Sequence, residues 1–121
     1  MLFTYVNAGR NPPLLFRGGD VIRLETGGPV VGLLPAFEYA QSTITLQRGD
    51  LFVAFTDGIS EAMNAADEEW GEERLIVCVR SAGEISAQEL IQRTIAAADS
   101  FVAGAKQHDD MTIIVARVLK P

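Results

Sequence analysis

The fold of this chain is decided by the stretch LFVAFTDGISEA, residues 51–62. Its first five residues are all apolar, so an extended segment here is hydrophobic on both faces. Such strands are typical of the centre of a sheet that is covered on both sides. Thr56, Asp57 and Gly58 then end the strand, because Asp-Gly is a common turn dipeptide. The stretch therefore predicts a central strand that delivers an aspartate to the edge of a sheet.

Antiparallel strands are predicted on the N-terminal side of this stretch. Short runs of β-branched, aromatic and aliphatic residues at 2–6, 14–16 and 21–24 are separated by turn formers and predict a small meander. The glycine-rich and proline-rich segment 27–35 is a predicted loop, and its apolar side chains indicate that it packs against the domain. Alternation of polar and apolar residues at 43–47 predicts a further strand with one face in water.

Helices are the main prediction on the C-terminal side. Segment 61–80 contains at least one helical stretch, which breaks near Trp70. The capping box Ser86-Ala87-Gln88-Glu89 and the apolar stripe after it predict a helix from Ser86 to about Ala103. The stripe consists of Leu90, Ile91, Ile95, Ala98, Phe101 and Val102. A last apolar strand is predicted over 111–118, so the whole indicates an α+β fold with helices on an antiparallel sheet.

Acidic side chains from two distant parts of the chain are expected to meet at one edge of the sheet. Asp57 follows the predicted central strand, and Asp109 and Asp110 precede the last one. If the two strands are antiparallel neighbours, the end of the first lies beside the start of the second. Carboxylates within about 5 Å of one another either retain a proton or bind a cation, and Mg²⁺ and Mn²⁺ prefer oxygen ligands. Plainer interpretations stay open, because Asp57-Gly58 also fits a structural turn and Asp109-Asp110 a solvated loop end.

The composition argues against several classes of function. The chain has 121 residues, 48% hydrophobic and 21% charged, which is typical of one compact domain. Its formal net charge of -6 disfavours nucleic acid and anionic membrane surfaces as partners. No apolar run approaches the roughly 20 residues that cross a bilayer, and no secretory signal is present, so a cytoplasmic protein is expected. The single cysteine, Cys78, is expected to be a buried apolar residue rather than a reactive thiol.

Four motifs occur in a characteristic order. They are Tyr5-Val6-Asn7-Ala8-Gly9-Arg10-Asn11-Pro12-Pro13-Leu14-Leu15, the loop Gly28-Pro29-Val30-Val31-Gly32-Leu33, Gly49-Asp50 with Phe55-Thr56-Asp57-Gly58-Ile59-Ser60-Glu61-Ala62, and Asp109-Asp110-Met111-Thr112. In this order they resemble the bacterial SpoIIE/RsbU group of metal-dependent (PPM, type 2C) protein serine/threonine phosphatases. The similarity runs through essentially the whole chain, yet it matches only about the last half of the family's catalytic domain. Residues 1–121 are therefore expected to be the C-terminal portion of such a domain.

The resemblance implies a fold and a reaction. The family fold is an antiparallel β-sandwich flanked by helices (αββα), of which about the last half is expected here. In the complete domain of that family, two Mn²⁺ or Mg²⁺ ions hold a water that attacks the phosphorus of phosphoserine or phosphothreonine directly. Asp57 and Asp109 match metal ligands of the family's Thr-Asp-Gly and Asp-Asp-x-Thr motifs, and Asp110 matches a supporting position.

Further residues are expected to support these ligands. Gly58 is expected to allow a backbone turn beside the ligand. Thr56 and Thr112 are expected to hydrogen-bond around the site, although both also fit ordinary strand threonines. Arg10 stands where the family usually has histidine after Asn-Ala-Gly. Arginine keeps a cationic donor at that position but does not exchange protons near neutral pH.

The resemblance also implies that the site is incomplete in this chain. The family's other metal ligands come from an upstream aspartate and an Asp-Gly pair, so the chain supplies at most half of them. A fragment, a degenerate copy and one piece of a longer polypeptide stay open as explanations. The strand at 2–6 would lack the neighbour that the family fold provides, so a dimer through this exposed strand is expected.

The leading hypothesis is a phosphatase portion of a longer bacterial signalling protein. Its substrate would be a phosphorylated regulatory protein, such as an anti-anti-sigma-type factor, and the chain alone would be inactive. The alternative is a non-catalytic regulatory or protein-binding module that retains the phosphatase scaffold without metals. A nuclease or cyclic-nucleotide enzyme that uses clustered aspartates is disfavoured by the negative charge and by the order of the motifs.

Overall fold

The computed structural model describes residues 1–105 and 109–119 of the chain. Its elements are, in chain order, β1 (Leu2–Tyr5), β2 (Asn7–Ala8), β3 (Leu14–Arg17), β4 (Asp20–Arg23), β5 (Gly27–Gly28), β6 (Ser42–Thr45), β7 (Leu51–Phe55), α1 (Asp57–Ser60), α2 (Gly71–Ala82), α3 (Ala87–Val102) and β8 (Ile113–Arg117). The residues form two compact units. The first contains Met1–Ala54 with the segment that begins at Ala116, and the second contains Phe55–Val115.

A four-stranded sheet has the strand order β4-β3-β7-β8. The hairpin of β3 and β4 turns at Gly18-Gly19, because Arg17 pairs with Asp20, and β3 also pairs antiparallel with β7. Leu14 and Val53 lie opposite each other in this ladder and are both fully buried. The strongly apolar run at 51–55 is therefore an inner strand of the sheet, as the sequence predicts.

The first strand has a different partner from the predicted one. The prediction of a three-strand meander at the N-terminus is wrong, because β1 pairs antiparallel with β6, with Leu2 opposite Thr45. Side chains alternate along β1, so Phe3 and Tyr5 point to the same half-buried face. The Phe3 ring meets the Phe52 ring edge-on at 5.7 Å between centroids. Aromatic contact of this kind joins the β1-β6 sheet to the larger sheet within the first unit.

The glycine-rich loop after β5 is fixed at its base and exposed at its tip. The Tyr39 hydroxyl donates to the Pro29 carbonyl oxygen at 2.8 Å, and the Phe37 and Tyr39 rings meet edge-on. In contrast, Val31 is 72% exposed and Leu33 is 69% exposed. The prediction that the apolar side chains of this loop pack against the domain is therefore wrong for its tip.

A salt bridge fixes the turn before β7. The carboxylate of Asp50 is only 1% exposed, and Arg17 donates to both of its oxygens, from Nε at 2.9 Å and from Nη2 at 2.6 Å. The backbone amide of Gln47 donates to the same carboxylate at 2.8 Å. The hydrogen bond from Arg17 holds the pKa of Asp50 below its ordinary value, against the opposing effect of burial. Asp50 therefore joins β3 to the turn between β6 and β7.

The long helix α3 begins where predicted, and three of the six residues of the predicted stripe are buried. The Ser86 hydroxyl accepts a hydrogen bond from the Glu89 amide, and Ala103 ends the helix in the left-handed conformation. The buried row is Leu90, Thr94, Ala98 and Val102. Ile91, Ile95 and Phe101 lie at the margin, half-buried. Thr94 was not predicted in the core, and its hydroxyl is satisfied by the carbonyl of Leu90 at 2.8 Å.

The helices α1 and α2 precede α3 in the second unit. Trp70 immediately precedes α2 and is 4% exposed, so it is part of the core. The helix packs against α3, and the Arg74 guanidinium lies 4.5 Å from the centroid of the Phe101 ring. Cys78 is half-buried in α2 rather than fully buried. Among the helices that the structure describes, none has the length and apolar character needed to cross a bilayer.

Candidate metal-binding site

Asp57 occupies the junction between a strand and a short helix. Thr56 is extended, with φ -97° and ψ 166°, and Asp57 begins the single turn of α1. The amide of Ile59 donates to the Thr56 carbonyl oxygen at 3.0 Å, and the amide of Glu61 donates to the Asp57 carbonyl oxygen at 2.7 Å. Ile59 is fully buried and anchors the turn, whereas Asp57 is exposed. The fold thus presents a carboxylate to solvent on a fixed backbone.

Thr56 joins this junction to the segment before β8. Its amide donates to the Thr112 carbonyl oxygen at 3.1 Å, and its hydroxyl accepts from the Thr112 amide at 3.1 Å. The carbonyl oxygens of Asp110 and Thr112 both lie 3.5 Å from the Thr56 hydroxyl, which is long for a hydrogen bond. A second hydrogen-bonded pair, Asp50 and Val118, lies six residues before Thr56 on one strand and six residues after Thr112 on the other. The strands β7 and β8 are therefore antiparallel. The predicted antiparallel arrangement is therefore confirmed.

Because Gly58 has no side chain, the start of α1 and the Asp109-Asp110 segment approach each other more closely than any other residue at this position would allow. A methyl group at Gly58 would collide with the Asp110 carbonyl oxygen and would lie 2.6 Å from the carbonyl carbon. Gly58 is not among the residues with positive φ, so its place in the turn does not depend on the left-handed conformation that favours glycine. The absence of a side chain matters instead, because the backbone of Asp109 and Asp110 passes directly over it.

These contacts bring Asp57, Asp109 and Asp110 to the same end of the sheet, as predicted. Both Asp109 and Asp110 are exposed. The Asp110 amide donates to Oδ1 of Asp109 at 2.8 Å, which restricts the orientation of the Asp109 carboxylate. Carboxylate oxygens are the donors that Mg²⁺ and Mn²⁺ prefer. The chemistry of the donors therefore fits a hard divalent cation.

A further carboxylate belongs to this surface and was not singled out as a site residue from the sequence. The pKa of Glu61 is raised, first by the charge of Asp57, then by partial burial, and then by the charges of Glu69 and Asp109. Glu61 lies one helical turn after Asp57, and the Met63–Glu69 bridge folds the following segment back toward it. The four-residue spacing from Asp57 was the available signal in the sequence. The raised pKa reflects concentrated negative charge, which a cation would relieve.

The described side chains do not by themselves complete a metal centre. Within residues 1–105 and 109–119, no three His, Cys, Asp or Glu side chains are arranged as a group that could hold an ion. Divalent cations of this class bind six or more oxygen atoms, part of which are waters. Asp57 and Asp109 thus fit such an ion in kind but supply only part of its coordination. His108, which precedes Asp109 in the sequence, lies outside the described residues.

Arg10 belongs to the first unit and has a well-defined backbone. Its amide donates to Oδ1 of Asn7 at 2.8 Å, and Nδ2 of Asn7 donates to the Arg10 carbonyl oxygen at 3.0 Å. Gly9 between them has φ +71° and lies directly against Val30, where a side chain would not fit. Arg10 is exposed at the end of this turn, which leaves its guanidinium accessible to an anion.

Comparison with known proteins identifies the family. The sequence profile described as Stage II sporulation protein E (SpoIIE) matches residues 1–119. The chain belongs to the SpoIIE family. Phosphoserine phosphatase RsbU of Bacillus subtilis is a relative that is 32% identical over 124 residues, which include 95% of this chain and 34% of RsbU. The chain spans 18% to 34% of the curated relatives it matches.

Solved structures show the same fold. The SiaA-PP2C domain of Pseudomonas aeruginosa matches with a TM-score of 0.80 and 19% identity, over 96% of this chain and 46% of that domain. The catalytic domain of serine threonine protein phosphatase PstP, in complex with two manganese ions, matches with a TM-score of 0.68 and 16% identity, over 98% of this chain and 54% of that domain. The predicted α+β phosphatase fold is confirmed, and this SpoIIE-family chain covers part of the PP2C domain.

Proposed function

We propose that this chain is part of a metal-dependent protein serine/threonine phosphatase that acts within a longer signalling protein. The observation that carries the proposal is the junction at Asp57. There, Thr56 and Gly58 hold the Asp109-Asp110 segment against the start of α1. Two motifs that are more than fifty residues apart thus present carboxylates at one edge of the sheet, in a chain of the SpoIIE family.

The metal ligands in this proposal are Asp57 and Asp109, for Mn²⁺ or Mg²⁺. A bound ion of this kind lowers the pKa of a coordinated water and offsets charge on phosphoryl oxygens. The complete domain would hold two ions, the number that the PstP structure contains. Asp110 and Thr112 would support the ligands through the backbone of their segment. Arg10 would offer a cationic donor for an anionic group of the substrate.

The proposed substrate is a phosphorylated regulatory protein of the anti-anti-sigma type. The name of RsbU, a phosphoserine phosphatase, supports phosphoserine as the group that is hydrolysed. The net charge of -6 argues against nucleic acid as a substrate, because both would be negatively charged. A cytoplasmic location is part of the same proposal.

The alternative is a regulatory or protein-binding module that keeps the scaffold without catalysis. One feature favours it: Arg10 stands where the resemblance to the family leads us to expect histidine after Asn-Ala-Gly. Under either proposal the chain alone would bind divalent metal weakly and hydrolyse phosphoserine peptides undetectably. A phosphatase assay on the full-length gene product separates the two.

The experiment compares Asp57→Asn and Asp109→Asn with wild type in the full-length protein, with and without Mn²⁺. Each substitution keeps the shape of the side chain but removes an anionic oxygen donor, so we expect a loss of at least about 100-fold in turnover of a phosphoprotein. Asp99→Asn is the matched control, because Asp99 is exposed on α3. Wild-type turnover in either ligand variant would contradict the metal-site assignment. Absence of Mn²⁺-dependent activity in the wild type would favour the non-catalytic module.

A further inference from the structure

We propose that the hydroxyl of Thr56 is a positioning group that keeps the β7-β8 ladder intact where the chain turns into α1. Through it, Asp109 is held in register with Asp57. The inference rests on the proposed function, since it explains how the two candidate ligands come to serve one site. Thr56 would not touch metal or substrate in this role.

The argument begins with two competing demands on the Thr56 carbonyl. In a hydrogen-bonded pair of an antiparallel ladder, each residue donates its amide to the carbonyl of the other. Thr56 and Thr112 make half of this exchange, because the Thr56 amide donates to the Thr112 carbonyl oxygen at 3.1 Å. The Thr56 carbonyl instead accepts from the Ile59 amide at 3.0 Å, which forms the turn of α1. The start of the helix has therefore taken the acceptor that the ladder would use.

The Thr56 hydroxyl supplies the missing acceptor. The Thr112 amide donates to Oγ1 of Thr56 at 3.1 Å, in place of the backbone carbonyl. One residue thus serves a strand through its side chain and a helix through its carbonyl. Local hydrogen bonds from Ser and Thr hydroxyls commonly compete with backbone pairing, but here the hydroxyl continues it.

The consequence for the site is a matter of register. Asp109 and Asp110 lie three and two residues before Thr112, and the backbone of Asp110 rests on Gly58. If the Thr112 amide lost its acceptor, the last pair of the ladder would keep only one hydrogen bond. Thr56 is exposed, so water would replace the lost bond, and the cost would be in position rather than in folding. Asp109 would then be less constrained relative to Asp57.

The test uses two substitutions of Thr56 in the full-length protein. Thr56→Val keeps the shape and removes the hydroxyl, whereas Thr56→Ser keeps the hydroxyl. We expect Thr56→Val to lower Mn²⁺ affinity and kcat by about 10- to 100-fold, the range for residues that orient metal ligands, with KM for the phosphoprotein unchanged. Thr56→Ser should restore both values. Thr43→Val is the control, because Thr43 is an exposed strand threonine on β6 with a side-chain hydrogen bond to Thr4.

A second measurement does not depend on activity. Hydrogen exchange followed by mass spectrometry, without metal, should show faster exchange in the peptide containing Thr112 for Thr56→Val but not for Thr56→Ser. Equal exchange and equal Mn²⁺ affinity in both variants would overturn the inference, as would a serine variant as impaired as the valine variant. A wild-type protein without Mn²⁺-dependent activity would instead contradict the proposed function, and the exchange experiment would still decide the role of Thr56.

Discussion

Replacing Gly58 with alanine tests whether the close approach of two backbones sets the geometry of the site. The added methyl carbon would lie 2.6 Å from the Asp110 carbonyl carbon, and ordinary contact between carbon atoms begins near 3.5 Å. The Asp109-Asp110 backbone must therefore retreat by about 1 Å, and a displacement of that size at a catalytic site costs about 100-fold in rate. The expected result for Gly58→Ala in the full-length protein is a loss of phosphatase turnover of that order.

The assay measures turnover of a phosphoprotein and Mn²⁺ affinity, together with thermal unfolding. Gly19→Ala is the matched control, since a methyl group at Gly19 meets nothing within 4 Å and its φ is ordinary. Without a collision, glycine to alanine within a helix would stabilise the protein by about 1 kcal/mol. A stabilised Gly58→Ala protein with wild-type turnover and wild-type Mn²⁺ affinity would therefore refute the close-approach argument.

Three further predictions concern stability and assembly. Leu90→Ala should destabilise the chain by about 2 to 5 kcal/mol in urea unfolding, because Leu90 is 1% exposed in α3, whereas exposed Gln92→Ala should change little. The pKa of Asp50 is lowered in the folded protein, so its stabilising effect is complete above the ordinary value of 3.8 and is lost as the pH falls below it. Unfolding at pH 7 and pH 3 should accordingly differ less for Asp50→Asn than for wild type. Among the described strands, β1 is paired only with β6, and a strand edge without a neighbour tends to pair with another chain. Light scattering across a concentration series should therefore detect dimers of the isolated chain. A monomer at every concentration would contradict this prediction.

The predictions that came from local chemistry agree best with the structure. The capping box at Ser86 predicts the start of α3 to the residue, because the hydrogen bond that defines the cap is made within one turn. The apolar run of β7 likewise predicts an inner strand, although only the face of Leu51, Val53 and Phe55 is buried and the opposite face is half-buried. Thr94 was not predicted in the core, because the sequence does not show that its hydroxyl will donate a hydrogen bond to a carbonyl of its own helix and so be buried without cost.

Predictions that depended on long-range pairing were less successful. The alternation in β1 predicts a strand but does not determine its partner, and β6, some forty residues later, competes with the adjacent hairpin. The apolar tip at Val31 was expected to be buried because composition alone does not show whether a covering surface exists. Glu61 was missed although Asp57 lies four residues before it, because the charges of Glu69 and Asp109, which also raise its pKa, come near it only in the fold.

The contacts of Thr56 and Gly58 with the segment before β8 explain why these two residues flank Asp57. The first residue must offer an acceptor besides its carbonyl, because the carbonyl is used by the helix that follows. The third must have no side chain, because Asp110 occupies that space. Asp57 between them therefore stands on a backbone that is fixed from both sides, while its own carboxylate remains exposed. A turn that served only to reverse the chain would not require both neighbours, which favours a site over a structural turn at this position.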